Sequence, residues 1–420
     1  MADVLIVGSG GREQALAWKI EQSEEVAKVY VAPGNAGSSG NIQSIPIQFD
    51  DVDGLLNFAQ EKNISLTVIG QEIASEVGVV DAFEEAGLTI FGPNKAAAKI
   101  ETSKAFSKDL MEEQKIPTAQ YKNFTDVEAA RSYAISRPLP IVIKADGLAT
   151  GKGVVIAYEK QQIDEVLDQI MVKKIFGESG DTVVVEDFLK GQEVSLHALC
   201  DGKTSVIFPA SQDHKQIFDG DRGPNTGGMG VIAPIDWVKP EILNTVNKMV
   251  VQPALQGLID HSSAFKGCLY PGLMIDQGVI NVLEFNARFG DPETEVYMRL
   301  LDGDLYKILK ACAEGALTSD MVSWIPGYAA TVILASEGYP GSYTKNIPIH
   351  GLETASNRED IVIFHAGTAI KDGELVTSGG RVLNVTATGE SLEIALQKVY
   401  DAIADIHFDG MQYRKDIGKR

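Results

Sequence analysis

The chain has 420 residues, too many for one hydrophobic core, and about two to four domains are expected. Its hydrophobic fraction of 44% and charged fraction of 23% are those of a globular chain, not a disordered or fibrous one. The net charge of −21 argues against a nucleic-acid or anionic-membrane partner, although local cations and backbone N–H groups can still hold small anions.

Val4 to Val7 reads as a buried strand, Glu13 to Glu21 as a helix, and Val26 to Ala32 as a second strand closed by Pro33-Gly34-Asn35. A strand at Leu66 to Ile69, a helix over Val77 to Ala86 and a strand at Leu88 to Phe91 follow. Strands alternating with helices at this spacing imply a parallel sheet covered by helices. Ser103 to Glu113 reads as a helix, and a second α/β unit runs from about Arg137 to Leu189. A loop rich in Gly, Asn and Asp is expected from Ser211 to Gly230, and a boundary near Trp324-Ile325-Pro326-Gly327. Beyond it, strands at 330–335, 361–365 and 381–386 with a helix over Leu392 to Ile406 make a small α/β tail. Cys200, Cys268 and Cys312 match no metal-ligand spacing and read as buried thiols in a reducing compartment. With no basic leader and no apolar run long enough to span a bilayer, a cytoplasmic location is expected.

Several segments carry chemistry. Gly8-Ser9-Gly10-Gly11-Arg12-Glu13 lies between a strand and a helix but fails as a dinucleotide fingerprint. Glu13 stands where the third glycine belongs, and the second strand ends in Ala32-Pro33 rather than an acidic residue. What remains is a glycine turn and helix N-terminus suited to a phosphate, with Arg12 beside it. Ile141 to Val155 sets Lys144 at the end of a β-branched strand, then a glycine loop carrying Lys152, then another strand. That is no Walker loop; a hairpin closing over ATP is expected, with Lys144 partly buried. The strand Thr182 to Leu189 then runs into a linker whose backbone can read the edge of adenine, and Glu193 can accept from ribose hydroxyls. In Leu283 to Glu295, alternation puts Glu284, Asn286 and Arg288 on one face and Leu283, Phe285 and Ala287 on the other. A carboxylate next to an amide oxygen suits a hard cation such as Mg²⁺, and Arg288 suits a phosphate or carboxylate. A half-exposed strand with a polar outer face would look the same in isolation.

Taken together, these blocks resemble the ATP-grasp superfamily and, within it, the phosphoribosylamine–glycine ligase family. The resemblance spans essentially the whole chain. Gly10-Gly11-Arg12-Glu13, Gly34-Asn35-Ala36-Gly37, Lys144-Ala145-Asp146-Gly147 and Ser211-Gln212-Asp213-His214-Lys215 carry it. So do Gly223 to Gly230, Arg288 to Glu293, His365-Ala366-Gly367-Thr368 and Gly379-Gly380-Arg381-Val382. It implies an α/β ATP-grasp fold with a Rossmann-like N-terminal domain at 1–100, a central grasp domain at 101–122 and 190–325, a lid at 123–189, and a C-terminal α/β domain at 326–420.

The same resemblance implies a reaction: ATP, glycine and 5-phosphoribosylamine give glycinamide ribonucleotide, ADP and phosphate through a glycyl phosphate, a step of purine biosynthesis. Carried over by position, Glu284 and Asn286 would hold Mg²⁺ or Mn²⁺. Lys104, Lys144 and Lys152 would meet the ATP phosphates, Asp187 and Leu189 would present backbone to adenine with Glu186 adjacent, and Glu193 would meet the ribose. Gly10, Gly11, Arg12 and Glu72 would take phosphoribosylamine; Asp213, Asn225, Thr226, Gly227 and Gly228 would frame glycine. Arg288, Lys144 and Asp213 would carry catalysis, with Arg288 at the γ- or acyl phosphate. Asp291 and Glu293 are expected to be structural. A monomer with small-molecule partners is expected. Two departures fall on the amine side: Gln14 replaces a histidine, and Gln71-Glu72-Ile73-Ala74-Ser75 replaces Pro-Glu-Ala-Pro-Leu, which predicts a less rigid loop. The alternatives are a ligase for another carboxylate and amine, or a nucleotide-binding regulator without turnover.

Overall fold

The computed structural model describes residues 1–148 and 153–419, so Lys152 lies outside the described residues. Four main sheets organise the chain. The first is wholly parallel, with strands ordered Ile42–Ser44, Val26–Pro33, Ala2–Gly8, Leu66–Ile69 and Ile90–Phe91. Buried on both faces, its central strands read as unbroken apolar runs such as Val4-Leu5-Ile6-Val7. Strand order reverses between Ala2–Gly8 and Leu66–Ile69. In an open parallel sheet, a crevice for ligands opens at such a reversal, beyond the carboxyl ends of the strands. Gly10-Gly11-Arg12 and Gln71-Glu72 occupy those ends.

An antiparallel sheet of Tyr121–Phe124, Val183–Asp187, Ile141–Ala145 and Val154–Ala157 forms a separate unit beside a central antiparallel sheet. The central sheet is built on the long strand Lys266–Asp276, paired with Gln192–Ser195, Ala198–Asp201 and Val279–Asn286. The helix Lys104–Glu113 crosses to the smaller unit. Its N-cap Ser103 accepts from Phe106 N–H and donates to Asp146, which also accepts from Ala105 N–H. These contacts pin the first turn of the helix to the end of Ile141–Ala145.

The last sheet crosses the expected boundary near residue 326. Tyr328–Ser336, Arg381–Gly389 and Ile361–His365 are joined by Gln212–Asp213, from the segment expected to be a loop, and by Gly230–Ala233, which starts where that segment ends. Elsewhere the differences are local. The helix expected over 77–86 is two short helices, Glu72–Val77 and Val79–Glu85, broken at Gly78 with φ of +93°. The Gln71–Ser75 segment, expected as a loop, therefore opens a helix at Glu72. Helices Val52–Glu61 and Lys95–Thr102, which the sequence reading did not assign, also form, each capped by an acidic or amide side chain. The three cysteines are free and buried, as expected.

Candidate active site

At one end of the site two lysines converge. Lys144 is buried, with Nζ 2.6 Å from Glu186 Oε1 and donating to Leu283 O at 3.0 Å. Burial alone would lower its pKa, but Glu186 and Glu284 outweigh that and hold it above the ordinary lysine value. Lys104 donates to Gly147 O at 2.8 Å; burial lowers its pKa against the raising field of Glu284. Glu186 is also paired with Lys108, at 2.5 Å, a residue the sequence reading overlooked. Burial pushes Lys108 down to about 8. Burial would raise Glu186, yet its two lysines hold it below the ordinary carboxylate value. Lys108 lies one helical turn after Lys104, a spacing visible in the sequence.

Past Glu186 the strand ends. Asp187 donates its N–H to Gln120 O and pairs its carboxylate with Arg137, while the N–H of Leu189 has no backbone acceptor among the described residues. Glu193 sits on the next strand, 3.6 Å from Lys215 Nζ.

The alternation expected around Arg288 holds from Glu284 onward: Phe285 and Ala287 are buried, and Glu284, Asn286 and Arg288 are half-buried on the other face. Leu283, expected with the buried set, is only half-buried, because the register shifts there. The Arg288 guanidinium is a junction. It donates to Glu72 at 3.2 Å, to Asn286 Oδ1 at 3.1 Å and to Phe289 O at 3.2 Å, and lies 3.1 Å from Glu101 Oε1. Burial opposes ionisation of Glu72, but Arg288 and Arg12 keep its carboxyl below the usual range. Glu101 is different: burial pushes it up to about 7 against the pull of Arg288, and it also accepts from Ala287 N–H at 2.7 Å. Glu101 is not among the expected site residues because the helix Lys95–Thr102 that carries it is not expected.

The glycine turn differs in detail from a free phosphate cradle. Glu13 is fully buried and accepts from Gly10 N–H at 2.5 Å and from Arg12 Nε at 2.6 Å. Arg12 also donates to Phe289 O at 3.1 Å, so its guanidinium is tied to the residue after Arg288. Gly11 packs against Glu295 and Asn384, where a Cβ would not fit. Gln14 spans two segments: it donates to Gly37 O at 2.6 Å and accepts from His365 N–H at 2.8 Å. Asn35 completes the joint by donating to Ser9 O and His365 O.

Asp213 is buried beside Lys215, at 2.9 Å, and burial raises its pKa to about 6 even against that lysine. Gly228, at φ of +113°, lies against it: an added Cβ would be 2.7 Å from Asp213 Oδ1 and 2.5 Å from Pro292. Thr226 donates both its N–H and Oγ1 to Lys215 O and accepts from Gly228 N–H. Asn225 is exposed at the end of Arg222–Asn225. Glu293 is buried and accepts from Tyr270 and Ser195; Asp291 pairs with Arg381 at 3.0 Å.

Comparison with known proteins decides the family. Profiles described as the N, ATP-grasp (A) and C domains of phosphoribosylglycinamide synthetase match residues 2–101, 102–294 and 329–420. The chain belongs to the phosphoribosylglycinamide synthetase family. Among its relatives, the phosphoribosylamine–glycine ligase of Vibrio vulnificus (strain YJ016) is 46% identical, with 100% of this chain and 98% of that protein covered. The trifunctional purine biosynthetic protein adenosine-3 of Gallus gallus is 47% identical, covering 100% of this chain and 42% of its own length. The crystal structure of the phosphoribosylamine–glycine ligase of Thermotoga maritima superposes with a TM-score of 0.86 at 35% identity, covering 99% of this chain and 100% of that one. The biotin carboxylase domain of Hydrogenobacter thermophilus 2-oxoglutarate carboxylase, at 16% identity, shares the fold with a TM-score of 0.76 over 98% and 91% of the two chains.

A phosphoribosylglycinamide synthetase of the ATP-grasp type uses ATP and a divalent metal. Glu284 and Asn286 fit such an ion. They are oxygen donors on one face of Val279–Asn286; the Glu284 carboxylate has no hydrogen bond or ion pair among the described residues, and Asn286 Oδ1 accepts from Arg288 alone. Two donors alone do not close a coordination shell, and no cluster of His, Cys, Asp and Glu with metal-ligand character exists among the described residues. Phosphate oxygens and water would complete the shell, as is usual for Mg²⁺. No helix among the described residues is long and apolar enough to cross a membrane.

Proposed function

We propose that this chain is an ATP-dependent carbon–nitrogen ligase that joins glycine to 5-phosphoribosylamine, giving glycinamide ribonucleotide, ADP and phosphate. The observation that carries the reading is Arg288, whose guanidinium touches Asn286 on the nucleotide side and Glu72 on the amine side. A single cation bridging the two subsites suits a reaction in which an acyl phosphate made at one is consumed at the other.

In this reading Lys104 and Lys144 neutralise the ATP phosphates, with Lys152 from the hairpin. Asp187 C=O and Leu189 N–H read adenine beside Glu186, and Glu193 meets the ribose. Glu284 and Asn286 would hold Mg²⁺ or Mn²⁺, which would supply positive charge to offset that of the ATP phosphates. The glycine carboxylate, framed by Asp213 and Asn225 to Gly228, attacks the γ-phosphorus; ADP leaves and Arg288 holds the acyl phosphate. The amine of phosphoribosylamine, held between Gly10, Gly11, Arg12 and Glu72 in the crevice of the parallel sheet, then attacks the acyl carbon. It loses a proton as the C–O bond to phosphate breaks. Alignment and charge neutralisation supply such a rate without a strong general base.

The division into 1–100, 101–122 with 190–325, 123–189 and 326–420 belongs to the same proposal, as do a monomeric state and a cytoplasmic location. The distinct parallel, central and lid sheets support the first three units. The test is ADP release from Mg²⁺-ATP with glycine, with and without freshly generated phosphoribosylamine. Release that needs both substrates and yields glycinamide ribonucleotide is expected. ATP binding without release would point instead to another amine or carboxylate.

A further inference from the structure

Gly379-Gly380-Arg381, carried by the C-terminal part of the chain, is far in sequence from every group assigned above, yet Arg381 reaches the site. Its Nη1 donates to Gly227 O at 2.7 Å and to Asp291 O at 2.8 Å, and its Nη2 pairs with Asp291 Oδ1 at 3.0 Å. Tyr339, from the same sheet's surroundings, accepts from Gly227 N–H at 3.0 Å. Both backbone groups of Gly227 are therefore held by side chains of the C-terminal part. Clearance is fitted to this grip. A Cβ on Gly227 would lie 3.0 Å from Arg381 Cζ, and Gly380 leaves room only for the Tyr339 ring. On the opposite side Gly228 abuts Asp213 and Pro292. The Thr226 to Gly228 loop is thus set between a guanidinium behind and a carboxylate in front.

We infer that Arg381, with Tyr339, is a positioning residue that fixes the amino-acid subsite and so governs the KM for glycine while leaving ATP binding alone. The inference rests on the proposal that Asp213 and the Asn225 to Gly228 loop frame glycine. A lysine at 381 keeps one positive charge but cannot hold two carbonyls and a carboxylate in the planar fork of a guanidinium. The loop would then lose its backing with no change to any nucleotide contact.

The experiment is steady-state kinetics of Arg381→Lys, Tyr339→Phe and, in parallel, Asp213→Asn, with thermal melts on each. Arg381→Lys is expected to raise the KM for glycine about tenfold, the scale of one lost charge-assisted hydrogen bond, with the KM for ATP unchanged. Tyr339→Phe should raise it about threefold. A change in both KM values together, or in neither, would overturn the inference. If Arg381→Lys does not fold, Tyr339→Phe decides on the same criterion. Should Asp213→Asn leave the glycine KM untouched, the loop is not the glycine site and the underlying proposal fails. If Asp213→Asn moves that KM but the other two variants do not, only the role of Arg381 is lost.

Discussion

The nucleotide end and the amino-acid and amine end of this site are built on different principles. Around Glu186 and Lys144 the structure concentrates buried formal charge, with the Glu186 carboxylate within 3 Å of the ammonium groups of both Lys144 and Lys108. Around Gly37, Gly227 and His365 the contacts are amides and carbonyls gripped by Gln14, Asn35, Arg381 and Tyr339 across large separations in sequence. The first design suits a polyanion, whose charge completes the lattice. The second fixes shape, which a small zwitterion and the sugar of a sugar phosphate require. Arg288 is where the two meet.

The largest expected effect tests the charged end. Glu284→Ala should lower kcat by roughly 10²–10³-fold with little change in melting temperature, the size expected when a preorganised charge partner is lost. Near-normal turnover would remove the metal assignment. Next, Lys108→Met should cost about 3 kcal/mol in urea unfolding, because it strips a buried carboxylate of one of its two cations. It should also raise the KM for ATP but not for glycine. A variant as stable as the parent would mean that the charge lattice does not hold that end together.

Glu101 sharpens the comparison at the junction. Its pKa is raised from 4.5 to about 7, so between these values the folded state binds more protons than the unfolded chain. The stabilisation is complete below about 4.5 and is lost as pH rises through about 7. Glu101→Gln, which imitates the protonated acid, should flatten the fall in melting temperature across that window; an unchanged slope would count against it. The smallest effect belongs to the clipped end. Gln14→Ala removes a donor and an acceptor at once and should cost about 1 kcal/mol in stability. It should leave the ATP KM as it was and raise that for phosphoribosylamine. A matching loss at both substrates would erase the contrast between the two ends.

The same contrast explains what could be read from the sequence. Formal charge at a strand end or beside glycines is conspicuous, so Lys144, Glu284, Asn286 and Arg288 stand out from the sequence itself, whereas Lys104, on a helix, comes only with the family resemblance. The parallel N-terminal sheet followed from its apolar runs. Lys108 repeats Lys104 at helical spacing, but a lysine on an amphipathic helix ordinarily faces water. Glu101 depends on the helix Lys95–Thr102, a short segment between Pro93 and the next helix to which the sequence reading assigns no element. The clips could not be read at all, because a hydrogen bond from Arg381 to Gly227 leaves no local periodicity. The second task of Gly11 and Gly37 is likewise invisible in sequence: in the structure each also makes room for a side chain from elsewhere.

The strand Gly230–Ala233 has one further consequence. It pairs with Gln212–Asp213 on one side and with Tyr328–Ser336 on the other. Cutting the chain anywhere between them would leave two fragments, each with a bare ladder of N–H and C=O groups, the kind of edge that recruits foreign strands and aggregates. The two parts therefore share one sheet, and the match to the longer chicken relative covers both.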